Sequence, residues 1–150
     1  MILISACLGG KECRYNGTHS LDEPLQKLVE QGKAMLVCPE LLGGFTTPRD
    51  PAEIRGGDGN DVLKGSARVV DQSGNDVTEL YVKGAEETLK IAKSINAESV
   101  ILKENSPSCG SSQIYDGNFS GTKISGIGVT TALLKKHGFN VISEIKLEDW

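Results

Sequence analysis

A chain of 150 residues, 38% hydrophobic and 24% charged, can bury one core without disulfide or metal staples and is too apolar to stay disordered. Its net charge of -4, with no basic cluster longer than Lys135-Lys136, offers no electrostatic footprint for duplex nucleic acid and favours a small or neutral ligand. No stretch approaches membrane-spanning length, and "MILISACLGG" lacks the basic region and apolar run of a signal peptide, so the expectation is a cytoplasmic protein with no membrane partner.

In the reducing cytoplasm four cysteines point to reactive or metal-binding roles rather than to a disulfide framework. The sequons at Asn16 and Asn118 then carry no meaning, because glycosylation requires secretion.

The apolar, β-branched segment "ILIS" (2–5) predicts a buried strand running into the tight loop "CLGG", with Cys7 just past its carboxyl end. Ser20 and Glu23 form an S-x-x-E capping box ahead of Leu21, Leu25, Leu28 and Val29, and Gly32 supplies the stop of a helix. "AMLVCPE" (34–40) repeats the strand pattern, with Cys38 at its carboxyl end and Pro39 ending the ladder. The Gly-, Pro- and Asp-rich stretch that follows, "LLGGFTTPRDPAEIRGGDGNDVLKG", reads as a long lid or binding loop.

"ARVVDQSGNDVTELY" predicts a strand, a turn at Ser73-Gly74-Asn75 and a helix capped by Asp76 or Thr78. Val77, Leu80, Tyr81, Gly84, Thr88, Ile91, Ala92 and Ile95 keep helical spacing and make this the longest helix. "SVILK" (99–103) is a third core strand, and "ENSPSCG" leaves its carboxyl end carrying Cys109. After a polar loop from 110 to 126, "VTTALLKKHG" predicts a helix stopped by Gly138, and "FNVIS" a fourth strand. Alternating strands and helices imply one α/β domain over 1–150: three layers, with a mainly parallel sheet of about four to five strands flanked by helices.

Ligands of such sheets bind outside the carboxyl ends of the strands. Cys7, Cys38 and Cys109 each follow a predicted strand at that end, whereas cysteines acting as small buried hydrophobes would scatter over helix faces and strand interiors. Glycine or proline flanks each one, which lets thiolates converge on a bulky centre. Three thiolates suit zinc or an iron-sulfur cluster. A closed zinc site takes four ligands, often with a closely spaced pair. Three distant ligands fit better a cluster with one open coordination position. Cys13 could close a four-cysteine site, act as an accessory thiol or simply pack; His19 and His137 are weaker candidates still.

"ISACLGGKECRYNG", "CPELLGGFTTPRDPAEI" and "LKENSPSCG" resemble the three signature blocks of the thiouracil desulfurase family, and the resemblance runs from residue 2 to the tail. It implies a [4Fe-4S] cluster held by Cys7, Cys38 and Cys109, with Cys13 left unligated. It also implies non-redox desulfuration of a thiolated nucleobase such as 2-thiouracil, in which the open iron accepts sulfur and a carboxylate-activated water supplies oxygen. A soft thiocarbonyl sulfur matches a soft iron Lewis acid.

Glu40, two residues beyond Cys38, is the first candidate for general base, against a plainer role as a loop carboxylate or partner of Arg49. Ser106 and Ser108 are candidate catalytic hydroxyls, holding a ring edge or shuttling a proton, against local turn hydrogen bonding. Arg49 is the candidate substrate-binding residue, against pairing with Asp50 or Glu53, and Glu104 suits a structural role.

"GGDGNDVL" (56–63) matches a calcium-binding nonapeptide, but a single copy cannot bind, so it reads as a flexible loop or lid. "GIGVTT" (126–131) hints that helix amides hold a phosphate. The rival functions are a non-catalytic metal or cluster protein that stores or senses sulfur, and a metal-free thiol enzyme built on Cys109.

Overall fold

The structure, a computed structural model, describes residues 1–9 and 22–144. In chain order its elements are β1 (Ile2–Ser5), a 3₁₀ turn (Ala6–Gly9), α1 (Glu23–Glu30), β2 (Ala34–Val37), α2 (Pro39–Leu42), β3 (Ala52–Arg55), α3 (Gly59–Lys64), β4 (Arg68–Asp71), α4 (Thr78–Ser94), β5 (Ser99–Leu102), β6 (Gln113–Tyr115), β7 (Lys123–Ser125), α5 (Val129–Lys136) and β8 (Val141–Ser143).

Four of the strands form a parallel sheet in the order β2-β1-β5-β8, the α/β architecture expected from the sequence. Alternate residues feed its two faces. Leu3, Val100 and Leu102 pack with Leu89 and Ala92 of α4 and Leu134 of α5, while Ile4 and Ile101 pack with Leu25 of α1. Burial on both faces explains why these strands are apolar without a break.

The supposed long loop after β2 is folded, contrary to the sequence reading. It contains the end of α2 and all of β3 and α3, and β3 pairs antiparallel with β4. "GGDGNDVL" is neither lid nor ion site but a helix start: Asp58 accepts from Asn60 N at 3.0 Å, and Asp61 accepts from Asp58 N at 2.9 Å. That reciprocal capping box satisfies the first orphan amides of α3. The stretch from 110 to 126 likewise holds the antiparallel hairpin β6–β7.

At α1 the cap is Asp22, which accepts from Leu25 N at 3.2 Å; Ser20, Leu21, Cys13 and His19 lie outside the described residues. At α4 the N-cap is Val77, without a side-chain cap, rather than Asp76 or Thr78; Asp76, one residue earlier, accepts from Thr78 N at 3.0 Å. Helices α2 and α4 touch backbone to backbone. A Cβ on Gly43 would lie 2.1 Å from the Leu80 carbonyl, and one on Gly84 2.1 Å from that of Pro39. The close approach seats Cys38 and Glu40 against the longest helix.

Candidate active site

Cys7, Cys38 and Cys109 all line one cavity of about 430 Å³ at the carboxyl ends of β1, β2 and β5, together with Glu40, Arg49, Tyr81, Asn105, Ser106 and Phe119. Cys7 sits in the 3₁₀ turn, 6% exposed, with Ser5 Oγ 3.7 Å from its sulfur. Cys38 is the residue before α2, and Cys109 is 4% exposed in the loop beyond β5.

That loop is clamped from two sides. The Glu104 carboxylate accepts from the amides of Ser111, Ser112 and Gln113 at 2.8, 3.0 and 3.1 Å and from the hydroxyls of Ser111 and Ser112 at 3.1 and 3.0 Å. From the other side the first turn of α5 donates to loop carbonyls, Val129 N to Pro107 and Thr130 N to Ser108, and Gly128 N donates to Gly110. Thr131 Oγ1 adds a bond to the Cys109 carbonyl at 2.9 Å. These amides are therefore spent on positioning Cys109. The phosphate-cradle reading of "GIGVTT" falls, because the donors it needs are already engaged.

Glu40 sits in a cage of donors. Arg49 reaches Oε2 through Nε and Nη2, both at 3.0 Å, and the Tyr81 hydroxyl donates to the same oxygen at 3.0 Å. Ser106 Oγ lies 3.4 Å from Oε1. The Arg49 and Glu40 side chains are only 7% and 16% exposed, so the pair is poorly screened by solvent. Arg49 thus pairs with Glu40, not with Asp50 or Glu53. Burial first, and then the neighbouring Glu40 charge, push the Tyr81 phenol above its usual range, so it remains a donor.

Ser106 Oγ also accepts from Ser108 N at 3.0 Å and Cys109 N at 3.2 Å, so the hydroxyl both shapes the turn and faces the cavity. Ser108 does not line the cavity. Its side chain is 1% exposed, 2.7 Å from Thr130 Oγ1 and 3.7 Å from Cys109 Sγ. The expectation that its hydroxyl meets substrate is corrected: it supports the cysteine from behind.

Burial foremost, then the charge of Glu40, raises the Cys109 thiol pKa well above normal, and the Cys38 and Cys7 thiols raise it further, against a lowering by Ser108. A metal-free nucleophile needs the opposite shift. A cationic centre shared by the three sulfurs relieves the same repulsion, since metal binding takes thiolates. The donor set, three buried or half-buried thiols on one cavity wall, fits a cluster with one position left open. Among the described residues, no group of His, Cys, Asp or Glu is arranged to hold a single metal ion. A cluster spreads its thiolates farther apart than one ion does.

Tyr81 was absorbed into the apolar stripe of α4 by its spacing; the signal available was that a buried tyrosine needs a partner for its hydroxyl. Nothing in the sequence marks Asn105 or Phe119. Phe119 belongs to the β6–β7 connection, which Glu53 grips by accepting from Gly117 N at 2.9 Å and Phe119 N at 3.2 Å.

A parallel α/β sheet thus brings three cysteines and a caged carboxylate together at its carboxyl ends, where ligands of such sheets bind. The chain belongs to the 2-thiouracil desulfurase family, whose model matches residues 2–146. It is 65% identical over 149 residues to the uncharacterized protein YbbK of Bacillus subtilis (strain 168), covering 99% of each chain. Its fold is similar to that of a solved structure described as the [4Fe-4S]-dependent thiouracil desulfidase TudS, with a TM-score of 0.87 and 43% identity over 99% of this chain and 93% of that one. Among the described residues no helix is long and apolar enough to cross a membrane.

Proposed function

We propose that the chain carries out non-redox desulfuration of a thiolated pyrimidine such as 2-thiouracil, with a [4Fe-4S] cluster held by Cys7, Cys38 and Cys109. The observation that carries this reading is the shared cavity: three thiols and the caged Glu40 open onto one space. A storage or sensing site needs only the thiols. A half-buried carboxylate ion-paired at 3.0 Å and aimed at a serine hydroxyl is costly to keep and suits proton transfer.

Bound there, the cluster would supply a soft Lewis-acid iron matched to a thiocarbonyl sulfur. The protein side supplies the proton handling. Arg49 and Tyr81 occupy Oε2 of Glu40, which leaves Oε1 turned toward Ser106 and the cavity. Glu40 Oε1 takes a proton from the attacking water, directly or through Ser106 Oγ, and returns it to the departing sulfur. Two backbone amides on Ser106 Oγ stabilise negative charge gathering on that oxygen. The balance is one water consumed: its oxygen bonds to the ring carbon, the carbon–sulfur bond breaks, and hydrogen sulfide leaves with no net electron transfer.

The test is anaerobic purification or reconstitution, with iron and sulfide analysis and incubation with 2-thiouracil. We expect about four irons and four sulfides per chain, uracil and hydrogen sulfide as products, and loss of iron in Cys7→Ser, Cys38→Ser and Cys109→Ser. Stoichiometric zinc in place of iron, or a loaded protein that leaves 2-thiouracil intact, would overturn the reading.

A further inference from the structure

Buried hydroxyls stand beside the Cys7 and Cys109 sulfurs. Ser5 Oγ lies 3.7 Å from Cys7 Sγ, and Ser108 Oγ lies 3.7 Å from Cys109 Sγ. Ser5 is 5% exposed and Ser108 1%, so each hydroxyl must find its hydrogen bond inside the protein rather than in bulk water. Behind Ser108 stands a second hydroxyl, Thr130 Oγ1, at 2.7 Å on a fully buried residue.

Which atom donates depends on the state of the sulfur. A thiol can give its weak S–H to a neighbouring oxygen, as Cys109 does toward Ser108. A sulfur that holds a metal is a thiolate with no proton to give. Between the same atoms the hydroxyl then becomes the donor and the sulfur the acceptor, which takes only a rotation of the hydroxyl hydrogen. Ser108 in turn accepts from Thr130, so Thr130, Ser108 and Cys109 form one directed chain in which each bond polarises the next. A donor on a ligating thiolate holds charge on the sulfur that would otherwise reach the iron. It stabilises an added electron, and it leaves the oxidised centre a stronger acceptor for a soft sulfur.

We propose that the Ser5 and Ser108 hydroxyls donate to the Cys7 and Cys109 thiolates in the cluster-loaded protein and raise the reduction potential of the cluster, with Thr130 aligning Ser108. All three act through the cysteines and are positioning residues. This rests on the ligand set proposed above, and it gives a use to Ser108, whose buried side chain does not line the cavity.

Anaerobic redox titration of the cluster-loaded full chain, followed by electron paramagnetic resonance of the reduced cluster, tests it. Ser5→Ala and Ser108→Ala should each shift the equilibrium toward the oxidised form by about tenfold, which is about 59 mV downward for a one-electron couple. Thr130→Val keeps the shape of the side chain and removes only the relayed hydroxyl; its potential should fall too, by less. Iron content and thermal melting certify each variant as loaded and folded. A purely structural role lowers iron retention or the melting temperature and leaves the potential of the loaded fraction where it was. A potential unmoved or raised in Ser5→Ala or Ser108→Ala overturns the proposal. Where a serine variant fails to load, Thr130→Val decides, a lower potential sustaining the proposal and an unmoved or higher one overturning it. Wild type that binds no iron sinks the cluster reading and this proposal together. Loaded wild type that leaves 2-thiouracil intact sinks the desulfurase reading alone, and the potentials still decide about the hydroxyls.

Discussion

Replacing Glu104 by glutamine removes the anion that organises the Cys109 loop while preserving its shape. Glu104 is 4% exposed, and burial alone would raise its pKa. The donors outweigh burial: the amides of Ser112 and Gln113, the Ser143 hydroxyl and the amide of Ser111 bring it from 4.5 to about 2. At about 1.4 kcal/mol per pH unit, that depression corresponds to about 3 kcal/mol of folding stability. Because the folded pKa lies below the unfolded one, the contribution is complete above about pH 4.5 and fades as pH falls toward 2.

Glutamine also turns one acceptor into a donor facing donors, which adds to the loss. Urea denaturation of wild type and Glu104→Gln at pH 7 should therefore differ by about 3 kcal/mol, and the gap should narrow steadily below pH 4.5. Glu144, which accepts from Glu104 N at 2.8 Å and pairs with Lys103 at 3.2 Å, is present in both proteins, so the difference isolates Glu104. A gap under about 1 kcal/mol at pH 7, or one that does not change between pH 7 and pH 3, would refute the strap.

The other predictions concern the walls of the site. Gly128→Ala places a Cβ 2.4 Å from the Ser108 carbonyl, so α5 must back away from the cysteine loop; we expect a loss of about 1–3 kcal/mol in chemical denaturation and reduced iron retention. Gly138→Ala, at φ +86° with open space around it, should cost only about 1 kcal/mol and leave iron content untouched. Tyr81→Phe removes one donor from Glu40 at 3.0 Å and should lower the rate of 2-thiouracil conversion about tenfold with little change in iron content. Arg49→Lys keeps the charge but loses the two-pronged contact with Glu40; kcat should fall more than iron loading.

The parallel sheet was legible because β1, β2 and β5 are short, mainly apolar runs, and in β1 and β5 burial on both faces leaves that signature in the residues themselves. The cysteines followed from the strands: Cys7 and Cys38 stand just beyond β1 and β2, and Cys109 lies on the loop that leaves β5. The hairpin β6–β7 was not: its strands are three residues long, and β7 is exposed throughout, so no alternation marks it. Strand β3 hid because Glu53 and Ile54 are both buried; the inward carboxylate is satisfied by amides more than sixty positions away. Ser108 misled because Thr130, twenty-two residues later, takes its hydroxyl. Tertiary donors leave no trace in a local pattern.

On the proposed function, one loop, residues 104 to 109, joins holding the cluster to handling the proton. Glu104 straps the loop, Pro107 and Ser108 offer carbonyls to α5, and Cys109 lines the cavity. Ser106 connects the two tasks, since one oxygen accepts the Cys109 amide at 3.2 Å and reaches Glu40 at 3.4 Å. Any shift of the cysteine therefore shifts the hydroxyl with it, and misplacement of the order of 1 Å is enough to impair a proton relay. That coupling accounts for the double clamp. A thiol that only stored metal could sit on a looser loop; one whose backbone also sets the aim of a serine at a carboxylate cannot.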